Sequence, residues 1–184
     1  MATSLSVTTP EATKILKGTL APTGQFRDSL CDWTEINCTG QCWFGFCCSP
    51  VMLAQMLGRM GLNWMGSKAE SAAEARKSYM IIFFIWIFFV LLYWLPFVGW
   101  ILAIFVTFYG TRLRMAVRAQ YQIPATSCGG DGIEDCCCVF WCGCCSAIQM
   151  TRHTHDQTEY PYSCCTYHGL PEGTAPVVEI AETV

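Results

Sequence analysis

The stretch "SYMIIFFIWIFFVLLYWLPFVGWILAIFVTFYGT", residues 78–111, contains no Asp, Glu, Lys, Arg or His. A run of 18 or more mostly apolar residues is long enough to cross a bilayer, so this stretch predicts a membrane segment. As one straight helix its 34 residues would reach ~51 Å, whereas the hydrocarbon core is ~30 Å thick. Pro96 and Gly99 interrupt the run, and Pro breaks or kinks helices. We therefore predict a transmembrane or re-entrant helical hairpin over about residues 78–111.

Basic residues flank the apolar run at both ends. Arg76 and Lys77 precede it, and Arg112, Arg114 and Arg118 follow it. Lys and Arg are enriched on the cytosolic side of membrane segments. Both flanks should therefore lie in the cytosol, which requires an even number of crossings or a re-entrant hairpin. The sequence predicts that the N- and C-termini are both cytosolic.

The composition excludes several classes of protein. Hydrophobic residues make up 53% of the 184 residues and charged residues only 14%, against ~25% charged in soluble domains. The net charge is −3, and no basic stripe is present that could neutralise the phosphates of a nucleic acid. We find no Gly-rich phosphate loop and no paired carboxylates, so we expect no nucleic-acid partner and no enzyme activity. The expected fold class is an all-α membrane protein whose partner is the lipid bilayer.

Three regions are expected along the chain. Residues 1–25 are rich in Ser, Thr and Pro and predict a disordered tail. Residues 26–154 form the cysteine-rich membrane domain, and residues 155–184, which contain three prolines, are expected to be mostly irregular. The N-terminal residues show no apolar core of a secretory signal, so we expect the cysteines to face a reducing compartment as free thiols.

Local signals predict further helices around the hairpin. Ser49 suits a helix N-cap, Pro50 the first turn and Gly61 the end, so we predict a short helix over about 50–60. Its apolar face suits either a protein core or a membrane surface, and the composition favours the membrane surface. The spacing of "SKAE" at 67–70 is that of a capping box and predicts the start of the next helix.

A second amphipathic, cysteine-rich helix is predicted from "IEDCCCVFWCGCCSAIQMTRH", which ends at His153. With the cysteines before the hairpin it gives two thiol clusters, which a returning hairpin would bring together on the cytosolic side. Residues three or four apart share one face of a helix and can bind one ion. The spacing candidates are Cys38, Cys42, Cys142 and Cys145. Four thiolates favour a soft ion, here Zn²⁺ or Cd²⁺.

Other uses of these cysteines stay open. A free Cys behaves as a small hydrophobic residue and is often buried for packing. Cysteines next to a membrane are also common sites of S-acylation. His153 and His155 are candidate extra ligands, although histidines in polar segments usually bind nothing, and Asp135 could attract a cation. The sequence therefore leaves metal binding, packing, acylation and a set of native disulfides as alternatives.

Several motifs together resemble a known family. They are "CCSPVMLAQ" at 47–55, "RAQYQI" at 118–123, "DC" at 135–136 and a run through Trp141, Cys142, Cys145, Gln149 and Arg152. The chain from Phe26 to Arg152 resembles the cysteine-rich placenta-specific-eight family, which includes plant cadmium-resistance proteins, cell-number regulators and cornifelin. The resemblance implies a small integral membrane protein of the plasma membrane. It also implies homo-oligomers, with links to divalent-metal efflux or resistance and to control of cell number.

The resemblance extends the candidate metal ligands and also raises a difficulty. It adds Cys47, Cys48 and Cys136 to the four spacing candidates. The family motif is of the form CCxxxxCPC, and Ser49 and Pro50 stand here where the family has Pro and its last Cys. One thiol linked to metal handling is therefore missing. The alternative expectation is a membrane-anchored, S-acylated scaffold or regulator without transport activity.

Overall fold

The computed structural model describes residues 22–30, 41–125, 130, 132–154 and 161–171. For Gln41, Cys42 and Ala72 it describes the backbone alone. The helices of this part are α1 (Gln41–Cys47), α2 (Ser49–Met60), α3 (Ala72–Leu91), α4 (Val98–Gln120) and α5 (Ile133–His153). These ranges contain no strand, so the expected all-α class is confirmed for the described residues.

The helix ends follow the local signals with one correction. Pro50 lies in the first turn of α2, and Gly61 ends the helix with a left-handed φ of 59°. Helix α3 begins after Ser71, whose Oγ accepts a hydrogen bond from the Glu74 amide at 3.3 Å. The start predicted from residues 67–70 was wrong, because the Ser67 amide donates to Asn63 Oδ1 at 3.1 Å and holds that segment in a turn.

The predicted break in the apolar run is confirmed. Helix α3 ends at Leu91 and α4 begins at Val98, so the turn covers 92–97 and includes Pro96. The two arms of the hairpin contact each other little, with Phe89 and Phe105 ring centroids 6.1 Å apart. Each arm is held instead by another helix, α3 by α2 and α4 by α5.

Helix α2 is the centre of the core, and its expected place in a membrane surface was wrong. Every residue from Pro50 to Met60 is buried, and the helix contacts each of the other four. Apolar residues from three of these helices surround it, including Ile82 of α3, Leu113 of α4 and Ile148 of α5. Its apolar face is therefore covered by protein.

The polar face of α2 is covered by the segment 161–171. Gln55 Nε2 donates to the carbonyl oxygens of Cys164 at 2.9 Å and Thr166 at 2.8 Å, and Gln55 Oε1 accepts from the Tyr162 hydroxyl. The segment is irregular, as expected for this part of the chain, but it packs on the core through these bonds. Sequence periodicity could not reveal this cover, since the segment lies more than 100 residues away.

Arg59 is the least favourable group in this core. It is 0% exposed, and none of its guanidinium nitrogens has a hydrogen-bond partner in the described part of the chain. Burial lowers the pKa of Arg59 to about 10, so it stays charged at neutral pH. A buried charge without bonds is costly, and the surrounding apolar packing must offset that cost.

Helix α5 breaks at Cys142, where φ is −137° and ψ is 52°. Before the break, Val139 packs so closely on Gly110 of α4 that a Cβ there would lie 2.8 Å from Val139 Cγ1. After the break, Ser146 Oγ and Gln149 Oε1 accept from Arg114 at 3.1 and 2.7 Å. Two contacts separated by the break thus involve neighbouring turns of α4.

These contacts require that the chain folds back at the break. Asp135 binds Arg114 and Arg118, and Val139, four residues later, packs on Gly110, so this part of α5 runs antiparallel to α4 towards the hairpin turn. If α5 continued straight past Val139, Ser146 would lie ~10 Å beyond Gly110 in this direction, whereas Arg114 lies ~6 Å in the opposite direction. An arginine side chain cannot reach across ~16 Å. The first limb, Ile133 to Trp141, therefore runs along α4 towards the hairpin turn, and the second limb, to His153, returns.

The returning limb ends against the N-terminal segment 22–30. His153 Nδ1 accepts from the Arg27 amide at 3.1 Å, and its ring packs edge-on against Phe26 and Tyr121. The side chain is 0% exposed. Burial, helped by the charge of Arg27, lowers the pKa of His153 to about 4. The ring is therefore neutral in the folded protein and serves the packing.

This burial predicts acid sensitivity. Between pH 6.5 and about 4 the unfolded chain binds a proton at His153 that the folded chain does not, so stability falls as the pH falls through this window. At ~1.4 kcal/mol per pKa unit, the loss should be about 2–3 kcal/mol by pH 4.5. The measurement is the free energy of unfolding in detergent micelles at pH 7.5 and 4.5. In His153→Gln, which keeps an acceptor for Arg27, the pH dependence should shrink by this amount; equal dependence in both proteins would contradict the assignment.

Candidate functional site: the exposed hairpin and the cysteine helix

The outer part of the hairpin exposes large apolar side chains. From Phe84 to Phe108 they point mainly to the surroundings, and Trp94, Phe97 and Trp100 are 93%, 76% and 74% exposed. No charged residue lies among them. A soluble monomer rarely exposes a contiguous apolar surface of this size.

Two helices, α4 and α5, are long and apolar enough to cross a membrane by length and composition. This criterion is weak, because core helices of soluble proteins also satisfy it. For α5 the fold-back at Cys142 prevents a straight crossing. For α4 the exposed apolar half lies at the hairpin turn, while Leu113 and Val117 near its other end are in the core. The finding supports a membrane association that is centred on the hairpin.

The basic residues after the hairpin are only partly a surface flank. Arg112 is exposed, but Arg114 and Arg118 are only 3% and 4% exposed. Arg114 Nε donates to Asp135 Oδ1 at 3.1 Å, and Arg118 NH1 lies 3.0 Å from both oxygens of that carboxylate. The expected use of all three arginines as a flanking charge was therefore wrong for two of them. Their spacing of four residues, next to the apolar Leu113 and Val117, is the signal that could have indicated a buried pair.

Residues of the motif that resembles the family also belong to this cluster. Gln149 bridges Arg114 and the Asp28 carbonyl, to which its Nε2 donates at 2.8 Å. Arg152 Nε lies 3.2 Å from the Asp28 carboxylate, and the Phe26 ring lies 4.5 Å from the Arg114 guanidinium. These residues therefore attach the N-terminal segment to α4 and α5.

The predicted ligands are only partly placed by the structure. Cys38 lies outside the described residues, and Cys42 is described by its backbone alone, on α1. Cys47 ends α1 and is exposed, and Cys48 is half-buried. On α5, Cys136 is exposed on the first limb. Pro50, which stands where the family has a Cys, is buried in α2.

Three thiols lie close together at the break in α5. Cys142 occupies the break and is half-buried, and Cys145 behind it is buried. Cys144 Sγ lies 3.9 Å from Cys145 Sγ. Burial, and then hydrogen bonding to Cys142, raise the pKa of Cys145, so it is protonated at neutral pH. A metal ion would have to displace this proton, because thiolates are the ligands.

No three His, Cys, Asp or Glu side chains are arranged to hold a metal ion within the part of the chain that the structure describes. The seven-cysteine ligand set therefore stays a prediction, since its first cluster is only partly described. Two neighbouring candidates have other roles. The Asp135 carboxylate is bound by arginines, and His153 Nδ1 accepts the Arg27 amide.

The comparison with protein families decides the relationship. The sequence model of the PLAC8 family matches residues 26–153. The chain belongs to the PLAC8 family. The family match ends at His153, which is also the last residue of α5. Gln149 and Arg152, which belong to the motif that resembles the family, lie within the match and bond to other segments of the chain. No curated protein and no solved structure matches this chain.

The buried cluster around Asp135 predicts that removing the charge of this one residue strongly destabilises the fold. Asp135→Asn removes the carboxylate that two buried guanidinium groups share. Breaking a buried ion pair on one side costs about 3–5 kcal/mol, so we expect this loss in the free energy of unfolding in micelles. The matched control is Asp28→Asn, whose pair with Arg152 is about one-fifth exposed and should contribute under ~1 kcal/mol. Similar small losses in both variants would show that the buried cluster does not depend on its carboxylate.

Proposed function

We propose that this protein is a membrane-anchored, cysteine-rich scaffold or regulator whose hairpin inserts into the bilayer and holds the helical core at the cytosolic surface. The observation that carries the proposal is the uncharged, strongly exposed apolar surface from Phe84 to Phe108. Water is a poor solvent for such a surface, and burial of apolar area contributes ~25 cal/mol per Å². Insertion into lipid is the simplest way to cover it.

The length of the arms supports entry from one side. Positions 78–91 and 98–111 give each arm 14 residues, or ~21 Å. This is shorter than the ~30 Å hydrocarbon core, so a straight hairpin fits a re-entrant anchor better than a complete double crossing. The exposed Arg76 and Lys77 lie at the base of the first arm, and the exposed Arg112 lies at the base of the second. Both termini would then lie on the cytosolic side.

The proposed role is that of a fixed platform at the plasma membrane. The hairpin offers few polar groups that could line a path for ions, which favours anchoring over conduction. Cys47, Cys136 and Cys137 are exposed thiols and are candidates for S-acylation, which would strengthen the anchor. The control of cell number that the family resemblance implies would then act through protein partners, without enzyme activity.

The experiment is to place charges at the hairpin turn. In Trp94→Arg/Phe97→Arg each arginine in hydrocarbon costs about 2.5–3.5 kcal/mol, or about 5–7 kcal/mol together. We expect the wild-type chain to remain with membranes after alkaline carbonate extraction and flotation, and most of the double variant to be lost. Glycosylation tags at the two termini should report the same, cytosolic side.

The matched control is Trp64→Arg, which changes a 47% exposed tryptophan in the loop before α3, outside the hairpin. It should float with membranes as the wild type does. Full membrane retention of the double variant, or termini on opposite sides, would contradict a re-entrant anchor.

A second candidate function is the binding of Zn²⁺ or Cd²⁺, with efflux by a homo-oligomer. The observation that favours it is the contact of the Cys142, Cys144 and Cys145 thiols at the break in α5. These thiols could complete a site with cysteines of the first cluster. One two-helix hairpin cannot enclose a path, so transport would require several copies of the chain.

Metal analysis of the full chain, purified in detergent under reducing conditions, tests this candidate. If four thiolates of one chain bind one ion, the wild-type protein should contain about one Zn²⁺ per chain. The variants Cys142→Ser/Cys145→Ser and Cys38→Ser/Cys42→Ser should lose it. Cys164→Ser/Cys165→Ser is the control, because these exposed thiols lie outside the predicted set. A wild-type chain without zinc, or equal loss in the control, would exclude this site.

A further inference from the structure

The break in α5 places a second aromatic surface beside the hairpin. Phe140 and Trp141 lie at the apex between the two limbs and are 61% and 80% exposed. Their ring centroids are 5.2 Å apart with the rings edge to face, so they form one projecting pair. No Asp, Glu, Lys or Arg lies between Asp135 and Arg152 along this helix.

The contacts with α4 give the height of this apex. Asp135 binds Arg114 and Arg118 while Val139 packs on Gly110, so the first limb runs towards the hairpin turn. Phe140 and Trp141 follow within two residues, so they lie level with Thr107 and Phe108, ~3 Å beyond Gly110. Arg112 lies ~3 Å on the other side of Gly110. The apex is therefore ~6 Å closer to the hairpin turn than Arg112, the charged residue of α4 that is nearest to that turn.

The apex is thus continuous in height with the exposed apolar part of the hairpin, where Phe108 is 57% and Ile104 is 69% exposed. Trp is enriched at the boundary between headgroups and acyl chains, where its ring is amphipathic. The described residues of the protein cover neither ring, so without a lipid neighbour both would stand in water. The chemistry and the height of the apex both fit a lipid surface.

We propose that the Phe140–Trp141 apex is a second membrane contact, which inserts into the headgroup–acyl boundary of the leaflet that the hairpin enters. This rests on the proposed insertion of the hairpin. The two contacts together hold the core against the membrane at two points, so the core cannot swing freely about the hairpin. They also place the Cys142 and Cys145 thiols at the membrane boundary.

Photo-crosslinking of the full chain in phosphatidylcholine vesicles with a minority of phosphatidylserine tests this proposal. The photoreactive residue p-benzoylphenylalanine replaces one exposed tryptophan at a time, at Trp141, at Trp94 in the hairpin turn, or at Trp64. Trp64 is the control, because its loop packs near Arg112: a Cβ on Gly66 would lie 3.4 Å from the Arg112 carbonyl oxygen. Mass spectrometry counts lipid adducts, and a fourth protein with the probe at Phe140 checks the apex independently.

We expect lipid adducts at positions 94, 141 and 140, at least about tenfold more frequent than at position 64, in keeping with interfacial burial of the apex rings. Adducts at 94 without adducts at 140 or 141 would overturn the apex contact and leave the hairpin anchor standing. Absence of adducts at all four positions would overturn the anchor as well. Crosslinks from 140 or 141 to a second copy of the chain, in place of lipid, would show that protein covers the apex and would also overturn the proposal.

Discussion

The rest of the structure depends on the buried ion pairs of the Asp135 carboxylate. This carboxylate binds Arg114 and Arg118 of α4 from the first limb of α5, and the same Arg114 binds Ser146 and Gln149 of the returning limb. One guanidinium group therefore holds both limbs of α5 in their folded-back arrangement. Because the cluster is almost fully buried, its charges must stay paired, and any displacement of α5 would leave them uncompensated.

That arrangement determines what the outside of the molecule presents. The first limb of α5 places Phe140 and Trp141 near the hairpin, and the second limb, after the break at Cys142, brings His153 to the N-terminal segment. The helical core then occupies one end of the molecule and the uncharged hairpin the other. The proposed anchoring follows from this separation, since the polar and apolar surfaces of the chain are divided along its length.

The cysteines of the second cluster owe their environment to the same break. Cys142 stands at the break itself, the sulfur atoms of the neighbouring Cys144 and Cys145 lie 3.9 Å apart, and Cys145 also hydrogen-bonds with Cys142. Burial then favours the protonated thiol at Cys145. The local chemistry of these thiols decides whether they pack, carry acyl groups or bind a metal ion.

The sequence by itself determined the helical class, the hairpin and its break near Pro96, a helix over about residues 50–60 and the family. These are local properties: an uncharged run, a missing amide donor, a capping residue and a motif can be recognised without knowing which residues lie nearby in space. It also predicted the cysteine helix but not its fold-back. Only the tertiary structure decided that α2 is the core, that Gln55 binds a segment more than 100 residues away, and that Arg114 and Arg118 are buried against Asp135. Each of these features depends on a partner that is distant in the chain. The sequence pattern of an arginine or of an amphipathic helix is the same whether lipid, water or protein covers it.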